Sequence, residues 1–212
     1  MSLRSAAARG TLVIVIALEA ATPLGQAAVT EAGVAGVADA RYPAHSAVCM
    51  SSAEGAITDH DDSGALLASR RLIVPIAGSA RASLRDTFNE RRGASRHEAI
   101  DIAAPRGTPV VAVGDGRVVK LFNSVPGEYT VYQFDPDEKF AYYYAHLEAY
   151  AEGLKEDMPV KRGDVLGYVG TTGNTAADAP HLHFAIFRLG PERHWWQGTP
   201  VNPYAFLNDP ER

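Results

Sequence analysis

A series of short apolar segments in the C-terminal two thirds of the chain constrains the fold most strongly. From Arg71 onward, runs of β-branched and aromatic residues alternate with Gly, Pro, Asn and Asp. The runs are LIVPI, TPVVAV, GRVVKLF, YTVYQFD, FAYYYAHL, DVLGYVG and HLHFAIF. Short β-rich segments at this spacing predict an all-β domain, an antiparallel sandwich-like structure over residues 71–212.

Composition excludes several function classes. The chain has 212 residues, enough to bury a core, and a net charge of -5. It has no block of Lys and Arg, so we expect no binding to nucleic acid. A single cysteine, Cys49, excludes an intrachain disulfide and a cysteine-based zinc cluster. Any metal ligands must therefore come from His, Asp or Glu.

The N-terminus has the layout of an export signal. Arg4 and Arg9 precede an apolar stretch from Leu12 to Leu18, and small residues follow. This stretch is too short to span a bilayer as a helix, so we expect no stable membrane span. We predict a signal peptide over residues 1–28 and export to the periplasm or cell envelope, or to the extracellular space. Residues 29–70 are rich in Ala, Gly, Ser and Asp without periodicity, which predicts a linker or weakly ordered segment.

The segment APHLHFAIF carries two histidines inside an apolar run that reads as a strand. Because side chains two apart in a strand share a face, His181 and His183 point the same way, whereas Leu182 and Phe184 point the other way. An ordinary strand could hold both histidines at a polar rim. If they instead form a metal or catalytic site, further ligands must come from elsewhere in the chain.

One such source is the segment RHEAIDIAAPRGTPV, in which Asp101 follows His97 by four residues. In a straight strand the two would lie roughly 13 Å apart, too far to share an ion. Pro105 and Gly107 argue against a long helix, so we place Asp101 at the start of a strand that follows a bend. The alternative is a solvated histidine and an aspartate that caps the turn.

A third polar element lies in YYYAHLEAY. Strict alternation would place Tyr142, Tyr144 and His146 on one face of a strand, so the two tyrosines are candidates for lining a cleft. The alternative for at least one of them is packing in the core. Hydrolytic zinc sites use three protein ligands and leave one position for water, with further groups as acid, base or electrostatic stabiliser. The four histidines and one aspartate of these segments match the number of groups in such a site, three metal ligands and two further catalytic groups.

Four segments carry a family resemblance: HEAIDIAAPRGTPVVAVGDGRVV, YYYAHL, VKRGDVLGYVGTTGNT and PHLHFAIF. In this order they resemble the lysostaphin and LytM type zinc metallopeptidases, the peptidoglycan endopeptidases of metallopeptidase family twenty-three. The resemblance spans about residues 71–207. It implies one Zn²⁺ ion held by His97, Asp101 and His183. It also implies that His146 and His181 are the catalytic histidines, which polarise the attacking water and stabilise the tetrahedral intermediate.

The resemblance further implies a substrate, the stem or bridge peptides of bacterial peptidoglycan. Arg91, Arg92 and Arg96, just before the first ligand, could attract carboxylates of an anionic stem peptide, with Arg92 as the substrate-binding candidate. A solvated loop explains the three arginines equally well. The family has Gly two residues after the first histidine, where this chain has Ala99. Since Ala does not adopt positive φ cheaply, we expect this turn to need no such conformation at Ala99.

Two functions other than catalysis are compatible with parts of the sequence. A non-catalytic module of the same fold could bind the wall or activate an amidase, but such a module can lose metal ligands and this chain keeps all of them. The segments GTPVVAVGDGRVVKL and VKRGDVLGYVG also resemble half-motifs of biotinyl and lipoyl carrier domains. The carrier lysine of those domains, at a hairpin tip within its usual motif, is missing here.

Overall fold

A computed structural model describes residues 62–124, 128–173 and 178–208. The predicted signal peptide and most of the predicted linker lie outside the described residues. No helix within the described ranges is long and apolar enough to cross a membrane.

The described residues are mostly β-strands. The strands are β1 (Arg91–Arg92), β2 (Ser95–Arg96), β3 (Ile100–Ala103), β4 (Pro109–Val111), β5 (Gly116–Ser124), β6 (Glu128–Phe134), β7 (Phe140–Tyr150), β8 (Pro159–Val160), β9 (Val165–Val169), β10 (His181–Leu189) and β11 (Gly198–Val201). One α-helix, α1 (Ser63–Ser69), precedes them, and two short 3₁₀ helices cover Arg81–Ser83 and Pro203–Ala205.

All pairings between these strands are antiparallel, which confirms the predicted fold class. Strands β3 to β11 form one sheet in which β11, β10, β7, β6, β5 and β8 are successive neighbours. Strand β3 adds to β10, and β9 joins β7 to β4. Strands β1 and β2 form a separate hairpin directly before β3.

The core lies mainly on one face of β7 and β10. Leu182, Phe184 and Ile186 of β10 are fully buried there, and Tyr142 and Tyr144 of β7 lie in the same apolar cluster. A smaller cluster on the opposite face includes mostly small or aromatic side chains. Strand β10 therefore has one face devoted to the core, as its alternation predicted, and its other face carries the two histidines.

Two features before β1 differ from the sequence prediction. The linker was expected to run through residue 70, but α1 is part of the folded domain because Leu67 is fully buried in the main core. Arg70, at the end of α1, forms an ion pair with the buried Asp135 (Nη2 to Oδ2, 2.7 Å). The segment LIVPI forms isolated bridges at Ile73 and Ile76 instead of a continuous strand.

Candidate metal centre

Strand register brings the first two candidate ligands together. His183 of β10 lies directly opposite Asp101 of β3 on one side and opposite Ala145 of β7 on the other. Because directly paired residues of antiparallel strands project to the same face, the Asp101 and His183 side chains are neighbours. The distance from His183 Nδ1 to Asp101 Oδ1 is 3.1 Å.

A bend before β3 brings in the third candidate. Glu98 has a left-handed backbone conformation (φ 54°), which breaks the extended chain between His97 and Asp101. His97 Nε2 consequently lies 3.1 Å from Asp101 Oδ1 and 3.1 Å from His183 Nδ1. The bend that the spacing requires is therefore present. Ala99 is not among the positive-φ residues, as expected, and its methyl group is fully buried.

The three donor atoms fit a zinc ion. His97 Nε2, Asp101 Oδ1 and His183 Nδ1 form a triangle whose three edges are each 3.1 Å. Ligands of a tetrahedral zinc ion with bonds of about 2.0–2.1 Å are separated by about 3.3 Å, close to these edges. Two imidazole nitrogens and one carboxylate oxygen are also ligand types that zinc prefers.

Hydrogen bonds behind the triangle orient two of its members. The carbonyl oxygen of Thr87 lies 3.1 Å from His97 Nδ1 and can only accept, so Nδ1 carries a proton and donates it. The other ring nitrogen, Nε2, is thereby directed towards Asp101 and is the atom that could bind a metal ion. The Thr87 hydroxyl also accepts from the backbone N–H of Asp101 (3.1 Å).

The electrostatics of Asp101 agree with a ligand role. Burial alone would raise the pKa of Asp101, but the hydrogen bonds with His183 and His97 outweigh burial and hold the pKa well below its usual value. The pKa of His183 is lowered, primarily by burial. The carboxylate is therefore ionised and the imidazole favours its neutral form, the protonation states in which both bind metals.

His146 and His181 lie beside the triangle. The ring centroid of His146 is 5.1 Å from that of His181 and 5.6 Å from that of His183. Each of the two flanking histidines has Nδ1 near a backbone carbonyl oxygen: Thr172 for His146 (2.9 Å) and Ala179 for His181 (2.8 Å). His181 Nε2 is 3.7 Å from Asp101 Oδ1. Both rings thus donate from Nδ1 and leave Nε2 available at the site.

The predicted face of the two tyrosines was wrong. Tyr142 and Tyr144 are buried in the main core, on the face of β7 opposite the candidate site. His146 leaves their face because its backbone is left-handed (φ 61°), which breaks the strand alternation. Tyr143 is the tyrosine on the site's face, with its ring centroid 6.0 Å from that of His183. Neither Tyr142 nor Tyr144 is therefore placed to contact a substrate at this site.

Arg92 lies at the edge of the site. Its Nη2 donates to the second carboxylate oxygen of Asp101, Oδ2, at 2.8 Å. His194, the other histidine of the described domain, stacks on Trp196 (centroids 4.4 Å apart) and is not part of the donor group. The supporting role of Thr87 could not be found from the sequence, since a lone threonine in a segment without periodicity carries no signal.

The antiparallel β domain thus gathers two imidazole nitrogens and a carboxylate oxygen, the donor set of a candidate metal site, with two more histidines alongside. Comparison with known proteins identifies the family of the chain. Residues 95–203 match the sequence model of peptidase family M23, which covers half of the chain, so the protein belongs to that family. The resemblance seen in the sequence is confirmed.

Individual relatives differ in their described roles. The chain is 32% identical over 139 residues to an L-Ala–D-Glu endopeptidase of Bacillus subtilis, covering 61% of this chain and 41% of the relative. It is 29% identical over 122 residues to the murein hydrolase activator NlpD of Escherichia coli, covering 58% of this chain and 28% of the relative. The structure of Csd3 from Helicobacter pylori aligns with a TM-score of 0.50 and 26% identity, covering 66% of this chain and 34% of that one. The chain thus spans less than half the length of each of these proteins.

Proposed function

We propose that this protein is a zinc-dependent endopeptidase that hydrolyses peptide cross-links of bacterial peptidoglycan. The observation that carries the proposal is the 3.1 Å triangle of His97, Asp101 and His183 donor atoms with two further histidines beside it. In this proposal the three residues bind one Zn²⁺ ion. The signal-like N-terminus supports export to the periplasm, the cell envelope or the cell exterior.

A zinc ion at this site would act as a Lewis acid, lowering the pKa of a coordinated water and polarising the carbonyl of the scissile peptide. Asp101 and the two histidines contribute one negative charge, less than the charge of the ion. The site therefore remains electrophilic when loaded.

His146 is suited to accept the proton of the attacking water. Its pKa is lowered to about 4, first by burial and then by the proximity of His183 and His181. Because this pKa lies below neutrality, the ring is uncharged at pH 7. Its Nδ1 proton is held by the carbonyl of Thr172, so the lone pair is on Nε2, the atom that can take up a proton.

His181 is suited to stabilise negative charge on the carbonyl oxygen. Its Nδ1 donates to the carbonyl of Ala179, which leaves Nε2 directed at the site. A proton carried on Nε2 would lie at the cleft, 3.7 Å from Asp101 Oδ1. Such a group can hydrogen-bond to a developing oxyanion and later give up its proton to the leaving amine.

The alternative is a module that binds the wall or activates a partner hydrolase without catalysis. The relationship to NlpD, whose name describes an activator, keeps this function under consideration. A module of that kind has no need for three converging donors or for two histidines with Nε2 at the same cleft. The intact group therefore favours catalysis.

The test compares three variants, His97→Ala, His181→Ala and the control His194→Ala, for bound zinc and for release of fragments from purified peptidoglycan. We expect His97→Ala to lose both zinc and activity, because it removes a corner of the triangle. His181→Ala should keep zinc and lose activity, whereas His194→Ala should behave as wild type. Wild-type protein that carries zinc and releases no wall fragments would argue for the activator, and equal zinc loss in His181→Ala would show that the roles of the paired histidines are misassigned.

A further inference from the structure

The two oxygens of the Asp101 carboxylate have different partners, and Arg92 binds only one of them. Oδ1 faces the imidazoles of His97 and His183 at 3.1 Å, whereas Oδ2 accepts from Arg92 Nη2 at 2.8 Å. The same Nη2 also donates to Glu90 Oε2 at 3.3 Å. The Nη2 nitrogen of Arg92 is therefore held in place next to the candidate metal centre.

The rest of the guanidinium is available to a ligand. The Arg92 side chain is 51% exposed, and in the described part of the chain its Nε and Nη1 make no hydrogen bond. A guanidinium carries five N–H donors in a planar fork that matches the geometry of a carboxylate. Since the fork is already oriented by Asp101 and Glu90, a carboxylate that binds it loses little further side-chain entropy.

The local charge has the sign that an anionic ligand requires. Residues 90–96, which include the β1–β2 hairpin, carry three guanidinium groups and one carboxylate, a net charge of +2 in a chain whose net charge is -5. Arg91 and Arg96 are exposed on this hairpin, so the rim beside the site is positive while the protein as a whole is acidic. Such a rim attracts anionic peptides to the site.

We propose that Arg92 is a specificity-determining residue that binds a free carboxylate of the substrate next to the hydrolysed peptide bond. Substrates would then be peptides that carry an acidic residue or a free terminal carboxylate next to the hydrolysed bond. This inference rests on the proposed function, because it assigns one side of the substrate to the same site. The described activity of the Bacillus subtilis relative, which acts on an L-Ala–D-Glu bond, fits such a substrate.

The experiment uses two fluorescent peptides that contain L-Ala–D-Glu and differ only in whether the Glu side chain is a carboxylate or a carboxamide. Binding is measured by anisotropy and hydrolysis by chromatography, with the full zinc-loaded chain as wild type, Arg92→Gln and Arg91→Gln. Bound zinc is measured in every sample. Arg91→Gln removes the same charge from the same strand, and no contact between Arg91 and Asp101 exists among the described residues.

We expect wild type and Arg91→Gln to bind the carboxylate peptide about tenfold more tightly than the carboxamide, as a charged hydrogen bond provides. Arg92→Gln should keep its zinc and bind both peptides equally. Loss of zinc from Arg92→Gln, equal weakening of both peptides, or the same loss of preference in Arg91→Gln would overturn the inference. If wild type binds with the expected preference but cleaves neither peptide, the result counts against hydrolysis of this bond and not against the role of Arg92, because binding is measured independently.

Discussion

The two faces of strands β7 and β10 use polar groups in opposite ways. On the core face, Tyr144 packs on Phe184 with ring centroids 5.2 Å apart, and both side chains are fully buried. The Tyr144 hydroxyl donates to Gln133 Oε1 (2.7 Å) and accepts from the backbone N–H of Val113 (3.1 Å). Every polar atom of this small network thus has a partner within the protein.

On the other face, polar atoms of three different side chains converge on one place. His97 Nε2, Asp101 Oδ1 and His183 Nδ1 each lie 3.1 Å from the other two. Two imidazole nitrogens and a carboxylate oxygen this close together form a group that could hold a metal ion. The core face therefore holds the sheet together, whereas the site face gathers a donor group of the kind that binds a metal ion.

The largest effect that separates the two faces is expected at adjacent residues of β10. Phe184→Ala removes a fully buried ring and should lower the free energy of unfolding by about 3–5 kcal/mol. His183→Ala removes a half-buried imidazole from the donor group, and in zinc-free protein it should change that free energy by less than about 1 kcal/mol. Chemical denaturation of both variants after chelation checks the difference.

Measurement of bound zinc gives a second comparison of the same two variants. His183→Ala should lose bound zinc while remaining folded, whereas Phe184→Ala should still bind zinc at temperatures where it is folded. A large loss of stability in zinc-free His183→Ala would mean that the site face also contributes to the core.

The hydroxyl groups of neighbouring tyrosines provide the second contrast. Tyr144→Phe leaves Gln133 and the N–H of Val113 without a buried partner, so it should destabilise the protein by about 1–3 kcal/mol. Tyr143→Phe removes a hydroxyl for which no hydrogen bond is found among the described residues, and its effect should be below about 0.5 kcal/mol. Thermal unfolding of the two variants, measured side by side, tests this order, and equal effects would contradict it.

Sequence alone predicted the parts of this arrangement that follow from strand periodicity. His181 and His183 share a face because they are two apart in a strand, and Leu182 and Phe184 fill the core for the same reason. The need for a bend between the first two ligands also followed, since an extended chain would hold them too far apart. The residue that makes the bend, Glu98, could not be identified, because glutamate has no preference for a left-handed conformation.

Strand β7 shows why the rest could not be predicted. Both of its faces are buried from Phe140 to Leu147, so apart from His146 the side chains on both faces are apolar or aromatic, and alternation does not reveal which face meets the core. The left-handed residue at His146 then reverses the expected direction of its own side chain. Helix α1 was missed because seven residues are too few to show a helical period.

The smallest effect is expected at Thr87, which supports the site from behind. Its hydroxyl accepts from the backbone N–H of Asp101 at 3.1 Å, and its carbonyl holds His97 Nδ1 at 3.1 Å. Thr87→Val keeps the shape and the carbonyl but removes the hydroxyl, so it should weaken zinc binding by about tenfold, as loss of a supporting hydrogen bond typically does. Thr87→Ser retains the hydroxyl and should bind zinc as wild type does. Competition with a chromophoric chelator measures both affinities, and equal affinities for the valine and serine variants would show that the carbonyl of residue 87 is sufficient to orient the site.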